Sequence, residues 1–405
     1  MKCPEYVKNC IEMLEKSGYS AYAVGGAVRD SLLNKEPSDW DVTTSALPEE
    51  TQRVFANFRT IPTGIKHGTV TVLFDDNGVS KPIEITTFRI DGEYRDSRHP
   101  ENVSFSRNLC DDLSRRDFTV NAMAFNKKEG IVDIFGGKSD LENRTIRAVG
   151  EPQKRFTEDA LRILRAFRFS AQLDFEIEQK TLEATSVCAH LIKNIARERV
   201  GVEFKKLIAS QGASYSLQKM VENRVWQNTF ETPSPNFETI NKISQLKSGS
   251  FVTRLCALIF QYSDEEKEAF LSSLRLSNDE KRLCLRLCKI KDFQIEDNSE
   301  KYPSGARRFL HLYDNIYDNA LEMLVFFNKD KNLDEFISTI SLEKSKNNPL
   351  TMSNLDIRGN DILPFCNGNY ANVGKILNLL LERVIENPEL NKKETLIEIT
   401  KKELL

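Results

Sequence analysis

Two aspartates separated by one residue, Asp39 and Asp41, could together bind a divalent cation. If the segment around them is a β-strand, the alternation of side chains places both carboxylates on one face, with Trp40 and Val42 in the core. Two adjacent carboxylates are costly unless a cation neutralises them, and hard oxygen ligands of this kind suit Mg²⁺. Mg²⁺ bound between these carboxylates and a triphosphate would support two-metal phosphoryl chemistry.

A glycine pair followed by an arginine precedes these aspartates and predicts a phosphate-binding turn. The apolar residues 22–24 indicate a buried strand, and Gly25 and Gly26 let backbone N–H groups approach a ligand without a Cβ in the way. A helix beginning near Ala27 would direct the positive end of its dipole at a phosphate, and Arg29 could add a charge-assisted contact. Taken alone, a glycine pair is more often an ordinary turn, and an Asp-x-Asp pattern is more often a solvated loop. Their occurrence within about twenty residues, joined by a helix with a basic residue, favours a nucleotide site.

A third acidic group follows on a predicted hairpin. Residues 69–74 and 82–88 are rich in β-forming residues, and the sequence Asp76-Asn77-Gly78 between them is a strong turn signal. Glu84 lies in the second of these strands, where it could join the two aspartates as a catalytic group. A solvated glutamate on the face of the strand is an equal alternative.

A later helix carries one carboxylate and three guanidinium groups at intervals of three residues: Asp159, Arg162, Arg165 and Arg168. Thr157 is expected to cap this helix, which runs EDALRILRAFRFSAQL. Its buried stripe is expected to consist of Leu161, Leu164, Phe167 and Ala171. Considered alone, the pattern is typical of an exposed helix with ion pairs three residues apart.

The hydrogen-bonding properties of aspartate and arginine suggest a second role for this helix. Cytosine and adenine each present an exocyclic amino donor beside a ring-nitrogen acceptor, whereas uracil and guanine present a carbonyl beside an N–H group. Aspartate only accepts hydrogen bonds and arginine only donates them. A pair formed by Asp159 and Arg162 would therefore accept C and A, and would leave the buried groups of U and G unpaired. Such a pair could select bases without a nucleic-acid template.

Four motifs resemble those of the class II tRNA nucleotidyltransferase and poly(A) polymerase family. They are GGAVRD, SDWDVTT, the RRD sequence that ends at Asp117, and the EDALRILR sequence that begins at Glu158. The resemblance implies an α+β fold, in which an N-terminal DNA polymerase β-like nucleotidyltransferase domain with a mixed sheet precedes an all-α neck, body and tail. The implied boundaries are 1–140 for the head, 141–205 for the neck, 206–290 for the body and 291–405 for the tail.

The same resemblance implies a function. It is the addition of CCA to the 3′ end of tRNA from CTP and ATP, without a nucleic-acid template and with release of pyrophosphate. Asp39, Asp41 and Glu84 are the implied catalytic residues, and the two aspartates are the implied ligands of Mg²⁺. Further residues are implied to bind the nucleotide: Gly25, Gly26, Arg29, Arg116, Asp117, Asp159, Arg162, Arg165 and Arg168. A motif at residues 194–204 is similar to one that supports the base-selecting helix, so that Arg197, Glu198 and Arg199 are expected to be structural.

Other members of this family would carry the same motifs. An adenosine-only tRNA adder and a poly(A) polymerase are the alternatives, although the near-neutral charge and the lack of a long basic tail disfavour the polymerase. Residues 91–107 resemble a flexible loop that members adding the terminal adenosine retain, which argues against an enzyme that adds only the two cytidines. An inactive RNA-binding protein would be expected to have lost Asp39 or Asp41, and both are present.

The length and composition of the chain limit the kinds of protein that could carry these motifs. A chain of 405 residues is expected to form two to four domains. Its net charge of −3 argues against bulk nucleic-acid binding, so that an RNA site requires a local concentration of arginine. The eight cysteines are scattered, no apolar run is long enough to cross a membrane, and the first residues lack an apolar signal segment. These features favour a cytoplasmic protein with reduced thiols and leave its oligomeric state open.

Overall fold

The computed structural model describes residues 3–76, 78–91, 103–246, 250–296, 298–328, 333–366 and 370–404. Internal contacts divide the chain into two compact units, one of Met1–Arg254 with Gln261–Asn278 and the other of Leu255–Phe260 with Asp279–Leu405. The finer division into head, neck, body and tail stays a prediction. Most of the loop expected at residues 91–107 lies outside the described residues.

A seven-stranded mixed sheet dominates the N-terminal part of the first unit. The strands are, in chain order, β1 (Ala21–Val24), β2 (Asp41–Thr44), β3 (Arg59–Gly64), β4 (Thr69–Asp76), β5 (Val79–Thr87), β6 (Arg89–Asp91), β7 (Val103–Phe105), β8 (Met123–Asn126), β9 (Gly130–Asp133), β10 (Thr145–Ile146) and β11 (Glu176–Ile177). The order in the main sheet is β3-β4-β5-β2-β1-β8-β9, and β2 and β5 are its one parallel pair among the described strands. The strands β6 with β7, and β10 with β11, form two small separate pairs.

The centre of this sheet positions the acidic residues. All four residues of β1 are buried, as expected for the apolar run beside the glycine pair. The strand β2 begins at Asp41, later than predicted, but burial still alternates as expected: Trp40 and Val42 are buried, whereas Asp39 and Asp41 are exposed. The parallel register of β2 and β5 places Asp41 directly opposite Glu84.

Helices make up the rest of the first unit. They are α1 (Glu5–Lys16), α2 (Gly26–Leu32), α3 (Pro48–Val54), α4 (Leu109–Ser114), α5 (Gly137–Glu142), α6 (Pro152–Glu158), α7 (Leu161–Leu173), α8 (Gln179–Cys188), α9 (Arg197–Ile208), α10 (Ala213–Glu222), α11 (Val225–Thr229), α12 (Phe237–Ile243), α13 (Phe251–Ile259) and α14 (Asp264–Ser273). The helix α13 continues into the second unit at Leu255. Apart from the two-residue strand β11, the described chain beyond residue 150 is helical, which confirms the predicted fold class.

The prediction that Thr157 caps the base-selecting helix is wrong. Thr157 lies inside the preceding helix α6, where its hydroxyl group donates to the backbone oxygen of Gln153 at 2.8 Å. The chain breaks at Asp159, whose backbone is extended, and the Asp159 carboxylate accepts from the N–H of Leu161 at 3.1 Å. Pro152 begins α6 early, and the Asp159 carboxylate caps the first N–H group of α7, which begins at Leu161 directly after Ala160.

The second unit is all helical in its described part. Its further helices are α15 (Asn278–Cys288), α16 (Tyr302–Tyr313), α17 (Tyr317–Phe327), α18 (Asp334–Ser345), α19 (Gly359–Ile362), α20 (Tyr370–Glu386) and α21 (Lys393–Leu404). A buried ion pair joins α16 to α18, because Arg307 contacts Glu343 at 2.8 Å. Arg307 also donates to the backbone oxygen of Ile385 in α20 at 2.6 Å. Across the described residues of both units, every helix is too short or too polar to span a membrane.

Candidate active site

A cavity of about 540 Å³ in the first unit, called here the central cavity, gathers almost all of the predicted site residues. Those that line it are Gly25, Gly26, Arg29, Asp39, Asp41, Arg116, Asp117, Asp159, Arg162, Arg165 and Arg168. Glu84 is not part of its lining. Six residues that were not predicted as site residues complete the wall: Ala27, Arg115, Asn121, Leu161, Phe169 and Arg199.

The turn at Gly25 requires glycine for two reasons. Its φ of 73° and ψ of −134° are strained for any residue with a side chain. A Cβ at this position would also lie only 3.0 Å from Nη1 of Arg116. The glycine therefore brings the main chain close to a guanidinium group at the wall of the central cavity. The helix α2 begins at the next residue, Gly26, and carries Arg29 three residues further along.

Three carboxyl groups lie at or near the acidic end of the cavity. Asp41 is exposed to the solvent of the cavity, but the protein atoms packed around its carboxyl group raise its pKa to about 6, and this desolvation is the largest cause. The Arg116 guanidinium opposes this rise in pKa, whereas the negative charges of Glu84 and Asp39 add to it. Ser38 donates to the Asp39 carboxylate at 2.8 Å. A cation at this position would relieve the repulsion between the carboxylates and return Asp41 to its charged form.

The donor set here fits a hard cation that is shared with a substrate. Within the described part of the chain, no group of three or more histidine, cysteine, aspartate or glutamate side chains is arranged to hold a metal ion. Asp39 and Asp41 would therefore provide two oxygen ligands and leave the remaining positions to other oxygens. Mg²⁺ is commonly bound in this way, through one or two carboxylates together with substrate phosphates.

Arg116 stands between the glycine turn and the carboxylates. Its Nη2 donates to the buried Asp112 carboxylate at 3.1 Å. Its Nε is buried and finds no acceptor among the described residues. A buried donor without a partner is costly, and an oxygen atom of a bound ligand would satisfy it.

A buried carboxylate, Asp117, connects the sheet side of the cavity to helix α7. Arg165 donates from Nε to Oδ2 of Asp117 at 2.7 Å, and its Nη2 lies 2.5 Å from the same oxygen. Asn121 donates to the other oxygen of Asp117 at 3.2 Å and accepts from Arg29 at 2.7 Å. These contacts link Arg29 of α2 to Arg165 of α7 through Asn121 and Asp117. Asp117 is therefore charged, and its carboxylate is already engaged by protein groups.

The two groups expected to select the base each have their own protein partners. The Asp159 carboxylate accepts from Arg199 of α9 at 3.2 Å. Arg162 is buried and donates to the Glu158 carboxylate at 2.9 Å. Arg162 also donates to the backbone oxygen of Arg115 at 2.9 Å. This arrangement differs from an exposed helix with ion pairs along its own surface, because most partners come from other elements.

The aromatic ring of Phe169 lies close to three of the arginines. The guanidinium carbons of Arg29, Arg165 and Arg168 lie 5.3, 5.3 and 3.9 Å from the centroid of the Phe169 ring. Arg168 also forms an ion pair with Glu203 of α9 at 2.5 Å, and both side chains are buried. The predicted buried stripe of α7 is confirmed, since Leu161, Leu164, Phe167 and Ala171 are all buried. The structure adds that Arg162, Arg168 and Phe169 are buried with them.

Sequence reasoning missed the residues that hold the arginines in place. Asp112 could have been found, because it precedes Arg115 and Arg116 by three and four residues, a spacing typical of ion pairs on a helix. Arg199 and Glu203 carry no such signal, since their partners lie on a different helix more than thirty residues away. Arg199 is expected from the sequence to be structural. In the structure it also lines the central cavity.

Comparisons with known proteins agree with this geometry. Residues 21–147 match the family model described as the poly A polymerase head domain, and residues 174–237 match the model described as the probable RNA and SrmB-binding site of polymerase A. The CCA-adding enzyme of Ligilactobacillus salivarius is 34% identical over 98% of this chain and 97% of its own length. The CCA-adding enzyme of Enterococcus faecalis is 35% identical over 97% of this chain and 94% of its own length.

A solved structure supports the same conclusion. The Bacillus stearothermophilus CCA-adding enzyme in complex with CTP superposes with a TM-score of 0.80 at 29% identity, covering 100% of this chain and 99% of that one. The mixed sheet, the central cavity and the head-domain match together define a metal-dependent nucleotidyltransferase with a poly(A) polymerase-type head. At 34% identity over nearly its whole length, the chain belongs to the CCA-adding enzymes. This membership favours CCA addition over the poly(A) polymerase alternative.

Proposed function

We propose that this CCA-adding enzyme builds the sequence CCA at the 3′ end of tRNA from CTP and ATP, and that the central cavity holds the incoming nucleotide. The observation that carries the proposal is the meeting of four separate chain segments at this cavity. They are the glycine turn, the two aspartates, the arginine pair before Asp117 and the N-terminus of α7. Each segment supplies a different part of a nucleotide site.

The charge of the cavity fits a polyanionic substrate. Seven arginines line it: Arg29, Arg115, Arg116, Arg162, Arg165, Arg168 and Arg199. Only four aspartates line it, namely Asp39, Asp41, Asp117 and Asp159. The lining of the cavity is thus richer in arginine than in carboxylates, although the whole chain carries a net charge of −3. This is the local concentration of arginine that a nucleic-acid enzyme of near-neutral charge requires.

The reaction transfers a nucleotide to the 3′ hydroxyl of the tRNA. The hydroxyl oxygen forms a bond to the α-phosphorus, the bond from the α-phosphorus to the bridging oxygen breaks, and pyrophosphate leaves. We assign Asp39 and Asp41 as the ligands of Mg²⁺, which when bound lowers the pKa of the hydroxyl group and stabilises the charge of the leaving group. Gly26, Arg29 and Arg116 are assigned to the triphosphate, because the glycine turn has no Cβ and both guanidinium groups lie beside it.

Base selection is assigned to the start of α7. The carboxylate of Asp159 would accept from the exocyclic amino group of C or A, and Arg162 would donate to the ring nitrogen. Arg162 currently donates to Glu158 and to two backbone oxygens, so that binding a base requires one of these contacts to be exchanged. Asp159 keeps free acceptor positions while it binds Arg199 and the N–H of Leu161, because a carboxylate can accept about four hydrogen bonds. A cytoplasmic location, expected from the sequence, is part of the same proposal.

One assay tests the proposed function. The purified protein is incubated with Mg²⁺ and all four nucleoside triphosphates, together with tRNA that ends at the discriminator base or tRNA that ends in CC. Sequencing of the products should show CCA on the first substrate and a single A on the second. Extension of only the second substrate would identify an adenosine-only enzyme, and a run of adenosines would identify a poly(A) polymerase. The Asp41→Asn variant should leave both substrates unextended.

A further inference from the structure

Asp112, in the short helix α4, is a fully buried carboxylate with an unusually complete set of partners. One of its oxygens accepts from Nε and Nη2 of Arg115 at 2.9 and 2.7 Å. The other accepts from Arg116 at 3.1 Å and from the Thr43 hydroxyl at 3.2 Å. Its relative exposure is 0%, and it does not line the central cavity. Asp112 therefore has no access to a substrate and can act only through its neighbours.

Those neighbours belong to the site. Arg116 lies against the glycine turn at Gly25 and lines the central cavity together with Asp41. Thr43 follows Asp41 by two residues on the same strand, β2. Asp112 thus fixes a guanidinium group and a catalytic strand relative to each other. A guanidinium group held in this way loses little freedom when it binds a phosphate, which is the advantage of preorganisation.

We propose that Asp112 is a positioning residue that holds Arg116 in place for the triphosphate of the incoming nucleotide. The inference rests on the proposed function of the central cavity and deepens it. Because CTP and ATP carry the same triphosphate, the loss of Asp112 should weaken the binding of both nucleotides equally. The affinity for tRNA and the choice among bases should stay unchanged.

Asp140, in α5, provides a matched control. It is also buried and accepts from a threonine, Thr119, at 2.6 Å and from an arginine, Arg147, at 3.1 and 3.2 Å. Neither Asp140 nor its partners line the central cavity. Asp140→Asn therefore removes a comparable buried charge without disturbing the arginines of the site.

The test compares Asp112→Asn with Asp140→Asn in the full chain. Steady-state kinetics give KM and kcat for CTP on tRNA lacking CCA and for ATP on tRNA ending in CC, and thermal unfolding gives stability. Loss of one charge-assisted contact predicts that Asp112→Asn raises KM for both nucleotides by roughly tenfold, with a smaller change in kcat. Asp140→Asn should lower the unfolding temperature to a similar degree and change both KM values by less than about twofold.

A double-mutant cycle separates positioning from general damage. If Asp112 acts through Arg116, then Asp112→Asn should add little to the KM of an Arg116→Gln variant. Asp112→Glu keeps the charge but shifts the carboxylate, and it tests the same point if Asp112→Asn fails to fold. Equal KM values for the Asp112 and Asp140 variants, or additive effects with Arg116→Gln, would overturn the proposal. Failure of the proposed function would be visible separately, as a wild-type protein that incorporates neither CMP nor AMP.

Discussion

The Asp117 carboxylate and the Arg165 guanidinium are bound to each other at 2.7 Å, across the boundary between the sheet-bearing segment and helix α7. Sequence reasoning assigned both residues to the nucleotide, Arg165 as one step in a series of arginines along the helix. The structure gives Arg165 a buried carboxylate partner instead. Arg165 therefore ties the phosphate side of the cavity to the base-selecting helix, whatever further contact it makes with a nucleotide.

This pair predicts a pH dependence of stability. Burial alone would raise the pKa of Asp117, but Arg165 and the hydrogen bond from Asn121 lower it to about 2. Because this pKa is below the value in the unfolded chain, the pair stabilises the fold above about pH 4 and loses its effect as the pH falls toward 2. The contribution is ~2 kcal/mol. Urea unfolding between pH 5 and pH 3 should show wild type losing stability relative to Asp117→Asn, and parallel profiles would contradict the assignment.

The assignment of Asp41 as a metal ligand predicts that its carboxylate is needed for catalysis but not for tRNA binding. Asp41→Asn should lower kcat by on the order of a thousandfold, since several kcal/mol of transition-state stabilisation depend on the bound cation. Binding of tRNA should be retained, because few RNA contacts are lost. Filter binding and single-turnover addition at saturating Mg²⁺ measure the two quantities. Near-normal turnover of this variant would refute the assignment.

Glu84→Gln decides the role of the third carboxylate. Glu84 is opposite Asp41 in the register of β2 and β5 but does not line the central cavity. If Glu84 acts only through its charge, which adds to the rise in the pKa of Asp41, the variant should retain addition within about tenfold of wild type. A loss as large as that of Asp41→Asn would instead make Glu84 a direct catalytic group, as the sequence suggested.

We expect the ring of Phe169 to contribute to nucleotide binding without taking part in the transfer reaction. Its contacts with three guanidinium groups predict that Phe169→Leu raises KM for CTP and ATP by roughly fivefold, for a loss of ~1 kcal/mol. Phe55→Leu is a suitable control, because Phe55 is fully buried and does not line the central cavity. Both variants should lose stability, but only Phe169→Leu should change KM. Equal KM values in the two variants would show that the ring serves packing alone.

Most of the residues predicted from the sequence line the central cavity. The alternation of apolar and acidic residues around Asp41 predicted which side chains face the core, although the strand itself begins later than expected. The glycine turn and the spacing of residues along α7 depend on backbone geometry and helical period, and both can be read from neighbouring residues. These features bring the catalytic and nucleotide-binding candidates to one cavity.

Contacts between distant elements could not be predicted in the same way. Arg199 meets Asp159 across forty residues of chain, and nothing in the local sequence around either residue indicates the other. The break between α6 and α7 was also missed, because Thr157 and Asp159 are both good capping residues and the choice depends on where Pro152 starts the earlier helix. Asp159, which the sequence places in the first turn of the helix, therefore caps α7 with one carboxylate oxygen and binds Arg199 with the other.

This double role of Asp159 determines how base selection must be tested. Asp159→Ala would remove both the helix cap and the proposed acceptor, so that a loss of activity would have two explanations. Asp159→Asn keeps an oxygen for the N–H of Leu161, since asparagine caps helices as well as aspartate does. It also introduces an N–H₂ donor, which can face the carbonyl of uracil.

The ratio of kcat/KM for CTP to that for UTP, measured in wild type and in Asp159→Asn, tests base selection by the protein most directly. If Asp159 accepts from the amino group of the base, the ratio should fall by roughly 10- to 100-fold in the variant, as expected for one buried hydrogen bond that is lost with C and gained with U. Thermal unfolding should reflect only the lost ion pair with Arg199, because the helix cap is preserved. An unchanged ratio, with both rates lowered equally, would show that Asp159 only caps α7 and that the protein selects its bases elsewhere.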